Sequence, residues 1–333
     1  MDLLPRFQRV SDAPLLDLSA VPWCAQEARP RPSIICPTVV DMAPFADVLP
    51  GLPGLPGLPG PIDRFYLYYA PHHSDGMGLA TAPHPEGPWT PYSGNPILRM
   101  EDAPGLRTHI SSPEFVHRPD RPHAPFWLYF HGRALPEGAG QETCVAESAD
   151  GISWRLLSPE PVLTTTPEQS GEGVTAAYLR VFKPRTGTEG EWLYGLYKGG
   201  RTHGLARSRD GLHWEHRPHN PLLSADPTAG EHRLIRHTGL LVEGATLHIY
   251  YCTPALPDLS REEIKLATLD IASDDWREWG PLQRHGTVLA PELEWEASDV
   301  RDPFPFLHDG TIYLYYTGGH EQGVGLARAV PRA

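Results

Sequence analysis

Asp299-Val300-Arg301-Asp302-Pro303-Phe304-Pro305-Phe306, then His308-Asp309-Gly310, then Thr311-Ile312-Tyr313-Leu314-Tyr315-Tyr316-Thr317-Gly318-Gly319 reads as a polar cluster, a short apolar strand, an Asp-Gly turn and an aromatic strand with a glycine-rich exit. An Asp-Gly pair between two such runs predicts a β-hairpin. Antiparallel strands reverse direction, so the beginning of the first strand and the end of the second share one sheet edge. Arg301 and Asp302 are therefore expected beside Thr317 and Gly318.

The aromatic strand of this hairpin recurs. Phe65-Tyr66-Leu67-Tyr68-Tyr69, Phe126-Trp127-Leu128-Tyr129-Phe130, Trp192-Leu193-Tyr194-Gly195-Leu196-Tyr197 and Leu247-His248-Ile249-Tyr250-Tyr251 bring the copies to five. Their last aromatics, at 69, 130, 197, 251 and 316, are 61, 67, 54 and 65 residues apart. Each copy leads into a small-residue strand such as Gly78-Leu79-Ala80-Thr81 or Gly325-Leu326-Ala327-Arg328. Turns such as Asp150-Gly151 and Asp210-Gly211 then lead to Trp154 and Trp214. A repeat of this length with four short strands is the unit of a β-propeller. The expectation is an all-β, five-bladed propeller of four-stranded antiparallel blades in a single domain, 1–333. The blades fall at about 31–100, 107–165, 171–225, 231–290 and 294–333. The last copy ends without an outer strand, and Phe7-Gln8-Arg9-Val10 through Leu18 resembles the missing piece. Residues 1–30 are thus expected to close the ring, which removes free sheet edges.

Composition narrows the partners. The net charge is −13 over 333 residues, and Lys and Arg are scattered, which argues against nucleic acid or an anionic membrane. There is no apolar run of membrane-spanning length and no signal-peptide core at the start, so a cytoplasmic location is expected. Cys24, Cys36, Cys144 and Cys252 stand far apart and signal neither a disulfide framework nor a zinc cluster. The Leu-Pro-Gly repeat over 49–60 reads as a stiff inserted loop without a catalytic role.

In a propeller the innermost strand of each blade lines the axis. At these strands' opening ends, and just after the second strands, the sequence places His72, His73, His109, Glu114, His131, Glu172, Tyr178, Lys198, Arg236, His237, Asp299, Arg301 and Asp302. Unpaired buried charge is costly, so such a concentration reads as a pocket for a small molecule. Structural duties are open to some members: Arg236 pairing with Glu114, or Arg301 with Asp302.

The repeat resembles the five-bladed propeller glycosidases, the arabinanases, xylosidases and fructosidases. The phrases that carry the likeness are Arg301-Asp302-Pro303, the Tyr-Leu-Tyr-Tyr strands and the Asp-Gly-x-x-Trp turns. A closer likeness, to a group of little-characterised bacterial glycosidase-like proteins, rests on Tyr69-Ala70-Pro71-His72-His73, His109-Ile110-Ser111-Ser112-Pro113, Phe130-His131-Gly132 and Arg236-His237. The resemblance implies acid/base cleavage of a glycoside in the central channel. The places of the superfamily's catalytic carboxylates hold Cys36, a position near Tyr178, and Arg236-His237, so a non-standard set is expected. It comprises Glu114, His237 and Asp302 as catalytic residues, Asp302 or Glu114 as base and His237 as acid. His72, His109, His131, Glu172, Arg236 and Arg301 are expected to bind substrate. No metal ligand is assigned. The alternatives are a non-catalytic carbohydrate- or metabolite-binding propeller, and a metal-dependent tailoring enzyme with a divalent ion held by His72, His109, His131 and His237.

Overall fold

A computed structural model describes residues 5–23, 32–45, 64–72, 76–134, 140–164, 175–184 and 192–330. The described residues are all-β, with only short 3-10 turns between their strands. The Leu-Pro-Gly loop, the Cys24 site, His73 and Glu172 lie outside the described residues.

The opening hairpin forms as read. Val300–His308 pairs antiparallel with Thr311–Gly318, with Val300 opposite Gly318 and Arg301 opposite Thr317. Asp309 and Gly310 take φ of 47° and 74°, the left-handed pair that a tight hairpin turn requires. Gly323–Val330 follows, and the N-terminal strand Arg6–Arg9 pairs antiparallel along its outer side, from Arg6 opposite Val330 to Arg9 opposite Ala327. Leu16–Asp17 joins the same strand.

Three further sheets repeat this plan. One runs Ile35–Asp41, Phe65–Ala70, Gly76–Ala82 and Thr90–Pro91, with Leu98–Arg99 also on Gly76–Ala82. Another runs Thr238–Glu243, Thr246–Pro254, Glu262–Asp270 and Gln283–Leu289. The largest joins two antiparallel sets, one starting at Leu106–His117 and one at Thr175–Phe182, through a short parallel contact of Gln141 and Glu142 with Thr175 and Ala176. The innermost strands Ile35–Asp41, Leu106–His117, Thr175–Phe182, Thr238–Glu243 and Val300–His308 touch one another in that cyclic order. They pass closely: a Cβ on Gly239 would collide with the Pro303 carbonyl oxygen.

The aromatic strands hold neighbouring sheets together. Tyr315 donates its hydroxyl to Pro85 O (2.5 Å), Tyr68 to Gly151 O (2.8 Å) and Tyr129 to Gly211 O (2.9 Å). Each ring buries apolar area and its polar tip satisfies a turn of the next unit, which is why Tyr recurs there. The accepting Asp-Gly turns are themselves fixed by carboxylates. Asp150 Oδ1 accepts the Ile152 and Ser153 amides, and Asp210 Oδ1 those of Leu212 and His213.

Candidate functional site

The innermost strands share one irregularity. Their ladder slips between Ile35 and Thr38, Ser111 and Glu114, Ala177 and Arg180, and Arg301 and Phe304. In each slip sits a non-glycine residue with positive φ: Cys36 (54°), Ser112 (56°), Tyr178 (52°) and Asp302 (52°). A bulge of this kind leaves one residue out of the ladder and re-aims its side chain. Left-handed backbone at a non-glycine residue costs on the order of 1 kcal/mol, and four equivalent instances are a repeated feature of the fold. On the remaining innermost strand, His237 occupies the corresponding place just before Thr238, its carbonyl accepting the Cys252 amide (3.0 Å).

These five side chains meet. Ser112 Oγ donates to Cys36 Sγ (3.1 Å), and the Cys36 amide donates to Asp302 Oδ2 (3.4 Å). The other Asp302 oxygen pairs with His237 Nδ1. The His237 imidazole stacks on Tyr178 with centroids 4.3 Å apart, and His131 lies 4.1 Å from the same ring. Asp302 is 0 % exposed and His237 7 %. Burial would push the Asp302 carboxyl up, but His237, Arg301 and Thr317 outweigh it and hold it well below the usual carboxylate range. Burial pushes the His237 imidazole down to about 4, against the opposing pull of Asp302. At neutral pH the pair is a carboxylate and a neutral imidazole whose Nδ1–H is held by the carboxylate. The Cys36 thiol is raised well above its ordinary value, by burial first and by Asp302 second, so it is no thiolate.

Two residues further along the same strands lies a second layer. Arg180, almost fully buried, donates from Nη1 to Pro113 O (2.9 Å) and Glu114 Oε2 (2.9 Å), and from Nε to Thr238 O (3.0 Å). Glu114 Oε1 accepts the Val181 amide (2.9 Å). Both Glu114 oxygens are thus engaged within the protein. The structural partner of Glu114 is Arg180 and not Arg236.

Arg236 instead pairs with Glu262 (2.5 Å), which also faces Arg301 (3.6 Å). Arg301 pairs further with Asp299 and with Glu321 Oε1 (3.1 Å), and Glu321 reaches His72 Nδ1 (3.1 Å). The result is a chain of charges along the rim, Arg236–Glu262–Arg301–Glu321–His72. The ion pair between Arg301 and Asp302 is not formed, because the bulge turns Asp302 to His237 while Arg301 points along the rim.

The expected residues therefore fall into three groups. His237 and Asp302 pair directly, with His131 joined to them through Tyr178. His72, Arg236 and Arg301 form the rim, and His109 links rim and interior, 6.3 Å from His72 and 5.5 Å from His131 between ring centroids. Glu114 belongs to the layer beneath. His72, His109 and His237 all lie close enough for their charges to act on His131, and His131 and His237 both rest against Tyr178. Among the described residues no group of three or more His, Cys, Asp or Glu is arranged to hold a metal ion. Sequence reasoning missed Arg180, His203, Glu262 and Glu321. One signal for the bulges was present: Pro follows Cys36, Ser112 and Asp302, and a residue without an N–H is tolerated in a sheet at a bulge.

No family model matches the chain. An uncharacterized protein of Acanthamoeba polyphaga mimivirus is 23% identical over 298 residues, 79% of this chain and 76% of that protein. Among solved structures, a glycosyl hydrolase from Bacteroides ovatus superposes with a TM-score of 0.68 at 12% identity, covering 99% of this chain and 95% of its own. The GH43_1 enzyme from Xanthomonas citri, complexed with xylotriose, gives 0.63 at 15%, covering 98% and 92%. CoXyl43, a GH43 β-xylosidase/α-arabinofuranosidase from a compost metagenome, also in complex with xylotriose, gives 0.63 at 15%, covering 99% and 96%. Together with the repeated sheets and the closed circuit of innermost strands, these likenesses show that the chain has the fold of the family-43-like propeller glycoside hydrolases.

Proposed function

We propose that the protein is a glycosidase-like enzyme that acts on a sugar-like small molecule at the centre of a five-bladed propeller. In this reading the eight-stranded sheet counts as two blades that touch at Gln141 and Thr175, and Arg6–Arg9 with Leu16–Asp17 complete the last blade. The observation that carries the functional reading is the His237–Asp302 pair, set among bulged residues of the innermost strands. Asp302 is shut away from solvent and already charged, so its role is to fix the imidazole tautomer and stabilise the imidazolium. Nε2 of the neutral His237 is then the group that takes a proton from a water or substrate hydroxyl. This exchanges the roles expected from sequence, because a group that protonates near pH 4 is in its base form at neutrality. The Arg236–Glu262–Arg301 rim supports hydroxyl recognition.

The test is turnover of aryl xylosides, arabinofuranosides and uronides by the purified protein and its variants. His237→Ala is expected to lower kcat by about 10²- to 10⁴-fold, the range for loss of a general base. Asp302→Asn, which presents the wrong tautomer, is expected to approach the same loss with substrate affinity largely kept. A kcat in both variants equal to that of the unaltered protein would remove the dyad from the mechanism. Across pH 8 to 6 the rate is expected to show no inflection near 6.5, since the folded-state imidazole protonates near 4.

A further inference from the structure

Beside the dyad lies a group of nitrogen donors that the proposed chemistry does not use. Lys198 stands directly opposite His203 on the neighbouring strand, so both side chains project from the same face. The Lys198 ammonium lies 5.1 Å from the centre of the Tyr178 ring, the ring that His131 meets at 4.1 Å. His203 is 0 % exposed and His131 1 %. Among the described residues neither ring nitrogen of either histidine has a hydrogen-bond partner. Two buried imidazoles with four unsatisfied nitrogens are costly unless something else meets them.

The charge around them decides what that is. Among the described residues no carboxylate pairs with Lys198. The one whose field reaches it, Asp302, is already taken by His237 and the Cys36 amide. The Lys198 charge also acts on His131, His203 and His237, in each case against a further positive charge. A divalent cation would enter beside a fixed ammonium, whereas an anion would find one charge-assisted donor and two imidazole N–H groups.

We propose that Lys198, His131 and His203 form an oxyanion subsite, so that the substrate is a sugar carrying a carboxylate or sulfate group. This rests on the reading of the dyad as a sugar-processing centre and specifies the class of sugar. The subsite adjoins Tyr178, on whose ring His237 also stacks, which sets the anionic substituent beside the position where a proton is removed.

Binding separates this inference from the catalytic one. Titration calorimetry on the full chain, at constant ionic strength, would use sodium glucuronate, glucose 6-sulfate, glucose and zinc chloride as probes. Glucuronate or glucose 6-sulfate is expected to bind at least about tenfold more tightly than glucose, the effect of one hydrogen bond to a charged group. The better of the two identifies the anion. Lys198→Met is expected to abolish the preference, and Lys198→Arg, which keeps the charge, to retain most of it. Equal binding of glucose and the anionic sugars would overturn the subsite. So would a preference unchanged in Lys198→Met, or stoichiometric zinc binding lost in His131→Gln. Anionic-sugar preference without turnover of any glycoside would leave the subsite standing and remove the catalytic reading.

Discussion

Lowering the pH from 7 to 5 is expected to destabilise the fold through three buried histidines, His237 alone contributing about 2 kcal/mol. His131 and His203 are pushed well below their ordinary value, by burial first and by neighbouring positive groups second, and His237 protonates near 4. Unfolded, all three protonate near 6.5. A group depressed in the folded state contributes stability that is fully present above its unfolded value and is lost as pH falls toward the folded one. The window therefore opens below about 6.5, where unfolding takes up protons at these imidazoles and stability falls with pH. Glu114, raised by burial against Arg180, and Glu142, raised by burial, act in the opposite sense toward the lower end of the window. An ordinary domain holds only about 5–15 kcal/mol in total, so a fall in stability toward pH 5 is expected to be measurable. Urea titrations at pH 7, 6 and 5 in a buffer without sulfate or carboxylate check this. His203→Gln should flatten the dependence. A midpoint that does not move between pH 7 and 5 would show that these imidazoles are not buried neutral.

Replacing Arg9 with Ala is expected to cost about 3–5 kcal/mol, the usual penalty when one partner of a buried ion pair is removed and the other stays. Arg9 lies on the N-terminal strand, yet its guanidinium forks onto Glu296, Nε to Oε1 at 3.0 Å and Nη2 to Oε2 at 2.9 Å. Glu296 is 0 % exposed and also accepts Tyr316 Oη (2.6 Å) and the amides of Glu292 (2.7 Å) and Leu293 (3.0 Å). Losing Arg9 leaves that carboxylate charged, buried and short of its only cation among the described residues. It also loosens the strand whose pairing with Gly323–Val330 covers the sheet edge. Arg9 also reaches Glu292 (2.8 Å), but that carboxylate is 69 % exposed, and Glu292→Ala should change stability by less than about 1 kcal/mol. Thermal unfolding of the two variants side by side is the measurement. A loss below 1 kcal/mol for Arg9→Ala would mean that the N-terminal strand is not needed to hold the fold.

The distinction between Glu296 and Glu292, four residues apart and alike in sequence, shows where reading residues stops. In the sequence both belong to the polar stretch before the last inner strand. One anchors the N-terminal strand through Arg9 and the other is a surface partner, because only packing decides which carboxylate loses its water. The same holds in the site. Glu114 and Asp302 are both carboxylates on innermost strands, yet one is consumed by Arg180 and the Val181 amide while the other holds His237.

The sequence by itself determined the all-β repeat, the hairpin register at Arg301 and Thr317, and the neighbourhood in which His72, His109, His131, His237 and Asp302 gather. Those are consequences of local chemistry: a two-residue periodicity, Asp-Gly turns, and aromatic strands that must bury one face. Tertiary structure alone decided the pairings. The bulges at Cys36, Ser112, Tyr178 and Asp302 turn each side chain by a local backbone rotation that no alternation of residue types encodes. That rotation sends Asp302 to His237 and leaves Arg301 to Asp299, Glu262 and Glu321. That His237 meets Asp302, and Glu114 meets Arg180, follows from innermost strands more than fifty residues apart coming together.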